Sequence, residues 1–171
     1  MAKRISLREY QEGVMARLRS VAATAQVDAR LGVKIGGENW LLDLSDVAEV
    51  MPLPAISPVP LVHAWFKGVA NLRGNLVSVS DLAEFIGAGS LSATPAARLL
   101  LLHPRHILHS AILVDRMLGL KHLADLTPDQ VLERSGEWVG DAYRDASGIT
   151  WRSLDIQALV AQPAFLQTGQ I

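Results

Sequence analysis

The sequence predicts a mainly β domain preceded by one helix. Helical spacing is confined to the first 25 or so residues, where Leu7, Tyr10, Val14, Leu18 and Val21 recur at steps of three and four. From Val33 onward the chain changes to short apolar runs broken by Gly, Pro and Asp, the pattern of strands joined by turns. Between these runs Pro52, Pro54, Pro58 and Pro60 exclude both regular helix and a central strand, leaving an extended, stiffened loop.

The elements follow in order. Ser6 and Glu9 form a capping-box pattern at the start of the first helix. Its apolar stripe, opposite Arg8, Glu12, Arg17 and Arg19, is expected to dock on the parent domain. Val33 to Ile35, Gly36-Gly37 and Trp40 to Leu42 read as a hairpin, because paired glycines supply the positive φ angles that tight turns need. Ser45 to Val50 reads as one capped helical turn entering a strand. The run Lys67 to Leu82 holds Asn71-Leu72-Arg73-Gly74 at a tight turn between two apolar segments, which projects Arg73 from a β scaffold. Asp81 to Gly87 reads as a short helix with Asp81 as N-cap and Gly87 as its stop. Arg98 to Leu102 and Ser110 to Val114 form a second hairpin, and Met117 to Leu120 continues the strand path. Residues 125–148 are polar and read only as a surface excursion. Ile149 to Leu154 is a last strand and Asp155 to Val160 a closing capped helix.

Composition narrows the function. Half of the 171 residues are apolar, enough for one sizeable core, and 16 Lys and Arg face 17 Asp and Glu. That balance gives no electrostatic reason to seek nucleic acid or anionic lipid. The absence of cysteine excludes disulfides and thiolate catalysis, and suggests a reducing cytoplasm. The N-terminus runs into charged residues and is not read as a signal peptide. The apolar run Leu99 to Leu102 is far shorter than the roughly 20 residues a membrane helix needs. No nucleophile elbow, zinc helix, phosphate loop or dinucleotide fingerprint is present, so neither an enzyme nor a cofactor is expected.

The run Asn71-Leu72-Arg73-Gly74 followed by a strand and Asp81-Leu82 resembles the signature of the CheW-like chemotaxis coupling family. That run closes a longer block, Ile56 through Leu82, and three further blocks resemble the family in the expected order: Trp40 to Val50, Leu113 to Leu120, and Ile149 to Leu159. The resemblance implies two intertwined five-stranded β-barrel subdomains with a shared core. It divides the chain into a helical extension (1–28), a CheW-like domain (29–160) and a tail (161–171). It implies a non-enzymatic adaptor that joins the cytoplasmic tip of a chemoreceptor to a CheA-like histidine kinase in the cytoplasm, recruited to the inner membrane through them. Trp65 to Gly74, the helical extension and Phe165-Leu166 are most similar to the branch serving type IV pilus twitching motility.

By resemblance, Val47, Glu49, Gly68 and Arg73 lie at or near the receptor groove. Read without it, Arg73 is a solvated turn arginine or a partner of Asp81, Val47 is core, and Gly68 is a bulge or turn glycine. Asn71 is read as the side chain holding the turn. Ser78 departs from the family, which commonly has proline there. A competing reading, a small metal-dependent hydrolase, draws on His103, His106, His109 and Asp115. Against it, Pro104 breaks any helix that would align the histidines, so they are expected to be exposed and scattered around a hairpin turn.

Overall fold

The computed structural model describes the backbone of residues 7–131 and 136–170, and the side chains of residues 11–20, 28–131 and 136–170. A first helix, α1 (Leu7–Asp28), passes into β1 (Ala29–Ile35) without an intervening loop. Then come β2 (Glu38–Asp43), a 3-10 turn (Leu44–Asp46), β3 (Val47–Pro52), β4 (Phe66–Leu72), β5 (Asn75–Asp81) and α2 (Leu82–Phe85). The second half holds β6 (Arg98–Leu102), β7 (Ser110–Val114), β8 (Arg116–His122), β9 (Thr127–Pro128), β10 (Val139–Arg144), β11 (Thr150–Leu154), α3 (Ile156–Ala161) and α4 (Pro163–Leu166).

Two sheets result, ordered β8-β1-β2-β11-β10-β9 and β3-β6-β7-β5-β4. The chain builds two inner strands of the first sheet, β1 and β2, crosses to make the whole of the second, and returns to complete the first on both sides. That return makes the two halves intertwined: β8 pairs with β1 across more than eighty residues, Leu31 facing Leu120. The largest core cluster lies between the sheets, taking Val33, Ile35, Trp40 and Leu42 from one and Leu100, Leu102, Ile112 and Val114 from the other. A smaller cluster inside the second sheet holds Ala70, Val77, Val79, Leu99, Ala111 and Leu113.

The turns that sequence predicts have physical causes here. Gly36 and Gly37 have φ of 58° and 84°, the two left-handed positions of a tight hairpin. Asp81 accepts from the Glu84 N–H and caps α2, and Asp155 accepts from the Ala158 N–H and caps α3. Before β3 the cap is Asp43, whose carboxylate accepts from the Ser45 N–H and hydroxyl.

Three expectations change, and a fourth is not reached. The capping-box reading at Ser6 and Glu9 lies outside the described residues. Residues 11–20 of α1 are exposed, Met15 and Leu18 among them, because the helix continues straight into β1 with no turn to fold it back onto the body. The excursion 125–148 contains β10, which pairs with β11 and places Val139 in the main core. Its burial pattern shows Val139 alone fully buried, so too few apolar positions mark the strand. The first sheet has six strands rather than five, since the two-residue β9 joins its edge.

The C-terminal segment is tied in. Phe165 is buried against Trp65, their rings stacked 5.7 Å apart, with Phe85 edge-on to both. Beyond it, the His63 N–H donates to Thr168 and the Gln170 N–H donates to Leu61.

Asp145 closes the β10–β11 turn. It accepts from the Trp151 indole at 3.0 Å and from the backbone N–H of Ser147 and Ile149. The Trp151 bond first, then the backbone donors, hold its carboxyl below the ordinary range, and Arg144 does the same for Asp129. A carboxyl lowered by folding adds stability above its unfolded pKa of about 4 and loses it as pH falls through the folded value. Urea unfolding between pH 2 and 6 is therefore expected to show stability falling below about pH 4. Asp145→Asn should make that fall shallower; an unchanged slope would show that Asp145 does not contribute to it.

Candidate functional site

Arg73 and Gly74 form the two-residue turn between β4 and β5, with φ of 54° and 86°. Both central residues of such a turn are left-handed, a conformation that suits Asn-Gly and costs an arginine about 1 kcal/mol or more. The Asn71 carboxamide oxygen accepts from the Gly74 N–H at 2.8 Å, so Asn71 holds the turn as its position predicts.

The guanidinium does not pair with Asp81. It forms a bidentate contact with Glu49, Arg73 Nη1 lying 3.1 Å from Glu49 Oε2 while Nη2 meets Oε1. Asp81 is fully buried and engaged elsewhere: it accepts from the N–H groups of Glu84 and Leu91 and lies 3.7 Å from Lys67 Nζ. Lys67 also pairs with Glu84. Asp81 thus fixes the base of the hairpin, leaving Arg73 at its tip.

The Arg73–Glu49 pair has architectural meaning. Strands β3 and β4 are opposite edges of one sheet, yet Glu49 on β3 reaches the β4–β5 turn, so the sheet curls until its ends meet. Beneath the pair lies a groove of about 220 Å³. Met51, Leu72, Val77 and Leu101 give it an apolar floor that belongs to the smaller core, and Pro104, Leu108 and His109 of the β6–β7 loop form one wall. Arg73 is exposed and Glu49 half-buried, so polar groups stand at the rim over an apolar base.

Of the four residues singled out in the sequence, the structure brings Glu49 and Arg73 together. Val47 lies on the same strand, but a bulge separates it from Glu49 and it packs against the main core. Gly68 sits off the groove, at a bulge in β4. Its φ is 129°, and a Cβ there would come within 2.0 Å of the Ser57 carbonyl oxygen. Close backbone contact with the proline-rich loop is its evident role.

The histidines are not uniformly exposed. His106 has a nearly buried side chain whose Nε2 lies 2.7 Å from Asp46 Oδ1, and Arg105 Nη2 donates to the same oxygen at 2.6 Å. Asp46 draws His106 inward, a partnership across sixty residues that sequence spacing does not reveal. His103 Nδ1 accepts from the Arg105 N–H. Asp115 stands at the β7–β8 turn, its N–H donating to Lys34. Among the described residues no three His, Asp or Glu side chains converge as a metal site would require.

A CheW-like domain family model matches residues 30–164. The chain belongs to the CheW-like domain family. It is 33% identical over 92 residues to the protein PilI of Pseudomonas aeruginosa, a match spanning 54% of this chain and 51% of that one. Identity to the chemotaxis protein CheW of Thermotoga maritima is 26% over 95 residues, spanning 56% and 62% respectively. The matches thus span about half to three-fifths of these relatives' length. The fold matches the crystal structure of the scaffolding protein TtCheW from Thermoanaerobacter tengcongensis with a TM-score of 0.62. That superposition covers 74% of this chain and 88% of the other at 20% identity. The CheW-like domain therefore contains both edges of the groove, β3 and the β4–β5 turn.

Proposed function

We propose that this protein is a non-enzymatic adaptor linking a chemoreceptor to a CheA-like histidine kinase in a type IV pilus chemosensory array that controls twitching. The observation that carries this reading is the groove itself. An apolar floor with a bidentate Arg73–Glu49 pair at its rim suits a helical tip, whose apolar side chains enter while its polar groups exchange with the pair. Arg73 stands in a backbone conformation unfavourable to it, which is the kind of local strain that a functional requirement retains. Val47, two residues before Glu49 on β3, is included as a sequence neighbour of the contact, whereas Gly68 acts by holding the proline-rich loop.

Similarity to PilI supports the pilus branch. Its action is geometric: by holding both partners on one scaffold the adaptor raises their effective concentration and passes the receptor's conformational bias to the kinase. The reading places the protein in the cytoplasm, gathered at the inner membrane by its partners; no described helix is long and apolar enough to cross a membrane.

Reconstitution tests it. With the receptor's cytoplasmic fragment and the kinase from the source organism, kinase autophosphorylation should respond to receptor only when this protein is present. A response of equal size without it would overturn the adaptor reading.

A further inference from the structure

The β6–β7 loop, residues 103–109, is anchored at both ends around an exposed centre. At its start the His103 N–H donates to the Asp46 carbonyl at 2.8 Å, and Arg105 reaches both the Ser45 hydroxyl and the Asp46 carboxylate. At its end His109 has a left-handed φ of 49°, and its carbonyl oxygen accepts twice from Ser78: from the N–H at 2.9 Å and from the hydroxyl at 3.2 Å. Between these anchors Leu108 stands 66% exposed on the groove wall.

We propose that Ser78 is a positioning residue for the groove. Its two donors fix the His109 carbonyl, and with it the left-handed turn that presents Leu108 to an incoming helix. The inference rests on the receptor reading of this groove and names the feature that sets its wall. A proline at 78, with neither N–H nor hydroxyl to give, would leave the His109 carbonyl without both bonds. Left-handed backbone at a residue with a side chain persists only where its surroundings hold it. Arg105 and Asp46 hold the far end, so loss of the Ser78 hydroxyl removes one of the two bonds on the His109 carbonyl, keeps the N–H bond, and loosens the His109 end alone. A groove whose competent wall is populated only part of the time binds more slowly, because affinity scales with the competent fraction.

The test is surface binding kinetics against the cytoplasmic hairpin fragment of a chemoreceptor from the source organism. Ser78→Ala is expected to lower the association rate about three- to tenfold with little change in dissociation. Ser78→Thr, which keeps the hydroxyl, should restore the rate. Leu108→Ala, an exposed truncation that leaves the core intact, should instead speed dissociation. Arg73→Glu serves as the control for the site. If Arg73→Glu abolishes binding while Ser78→Ala and Leu108→Ala bind as the wild type, the positioning role is overturned and the receptor groove stands. If Arg73→Glu itself binds normally, the groove assignment fails, and this inference with it.

Discussion

Arg73→Glu is expected to weaken receptor binding at least about 30-fold, the scale of an anchor residue contributing 2 kcal/mol or more, while the domain stays folded. Two observations separate binding from stability. The arginine is 78% exposed, so loss of its pair with Glu49 removes only the small stabilisation of a surface ion pair, about 1 kcal/mol or less. The hairpin does not depend on it either, since Asn71 and Gly74 hold the turn and Lys67, Asp81 and Glu84 fix its base. The reversal does place two carboxylates at one rim, so Arg73→Asn is the sharper companion. Asparagine suits the left-handed position better than arginine, so this variant should be about as stable as the wild type, yet it has no guanidinium for the receptor. Kinase binding should persist in both variants. Titration of the receptor fragment, with thermal melts in parallel, reads both effects. Wild-type receptor affinity in Arg73→Asn would remove the arginine from the contact.

Much of this architecture was legible because local chemistry and tertiary structure agree. Paired glycines at 36 and 37, the aspartate caps at 81 and 155, and the Asn71 turn each carry their cause within three or four residues. What sequence missed is long-range. Glu49 and Arg73 were singled out through the family resemblance, but no spacing rule says that opposite edges of one sheet meet through them. Asp46 drawing in His106, and Ser78 holding His109, are likewise long-range contacts, made only once the strands of the second sheet have come together. Leu108 gave no signal at all: a lone leucine among turn histidines reads as ordinary surface until the loop is seen to wall a groove. Strand β10 escaped for another reason, since an edge-side strand with one fully buried residue lacks the alternation by which strands are recognised.

Gly68→Ala is expected to be the most destabilising single change in the signature segment. Its Cβ would lie 2.0 Å from the Ser57 carbonyl oxygen, 2.8 Å from the Ser57 carbonyl carbon and 3.0 Å from the Pro58 Cα, all backbone atoms that no rotamer change can move aside. Relief requires the proline-rich loop to lift, breaking the reciprocal bonds in which Ser57 N–H donates to Val69 at 2.8 Å and Val69 N–H to Ser57 at 2.9 Å. The φ of 129° adds a conformational penalty. Strain of about 1 to 3 kcal/mol, overpacking of similar size and two weakened hydrogen bonds of about 1 kcal/mol each sum to a large part of a typical domain's stability. The melting temperature should fall by about 10 °C or more. Gly119→Ala is the matched control, because its φ of 85° brings the conformational penalty but a Cβ there meets nothing within 4 Å. It should cost only about 1 kcal/mol or slightly more. Equal losses in the two variants would mean that the close approach of Ser57 is not what requires glycine at 68. The expected gap between them also bears on function: any receptor-binding loss in Gly68→Ala should track unfolding, and refolded protein at low temperature should regain affinity, whereas Arg73→Asn remains inactive at every temperature at which it is folded.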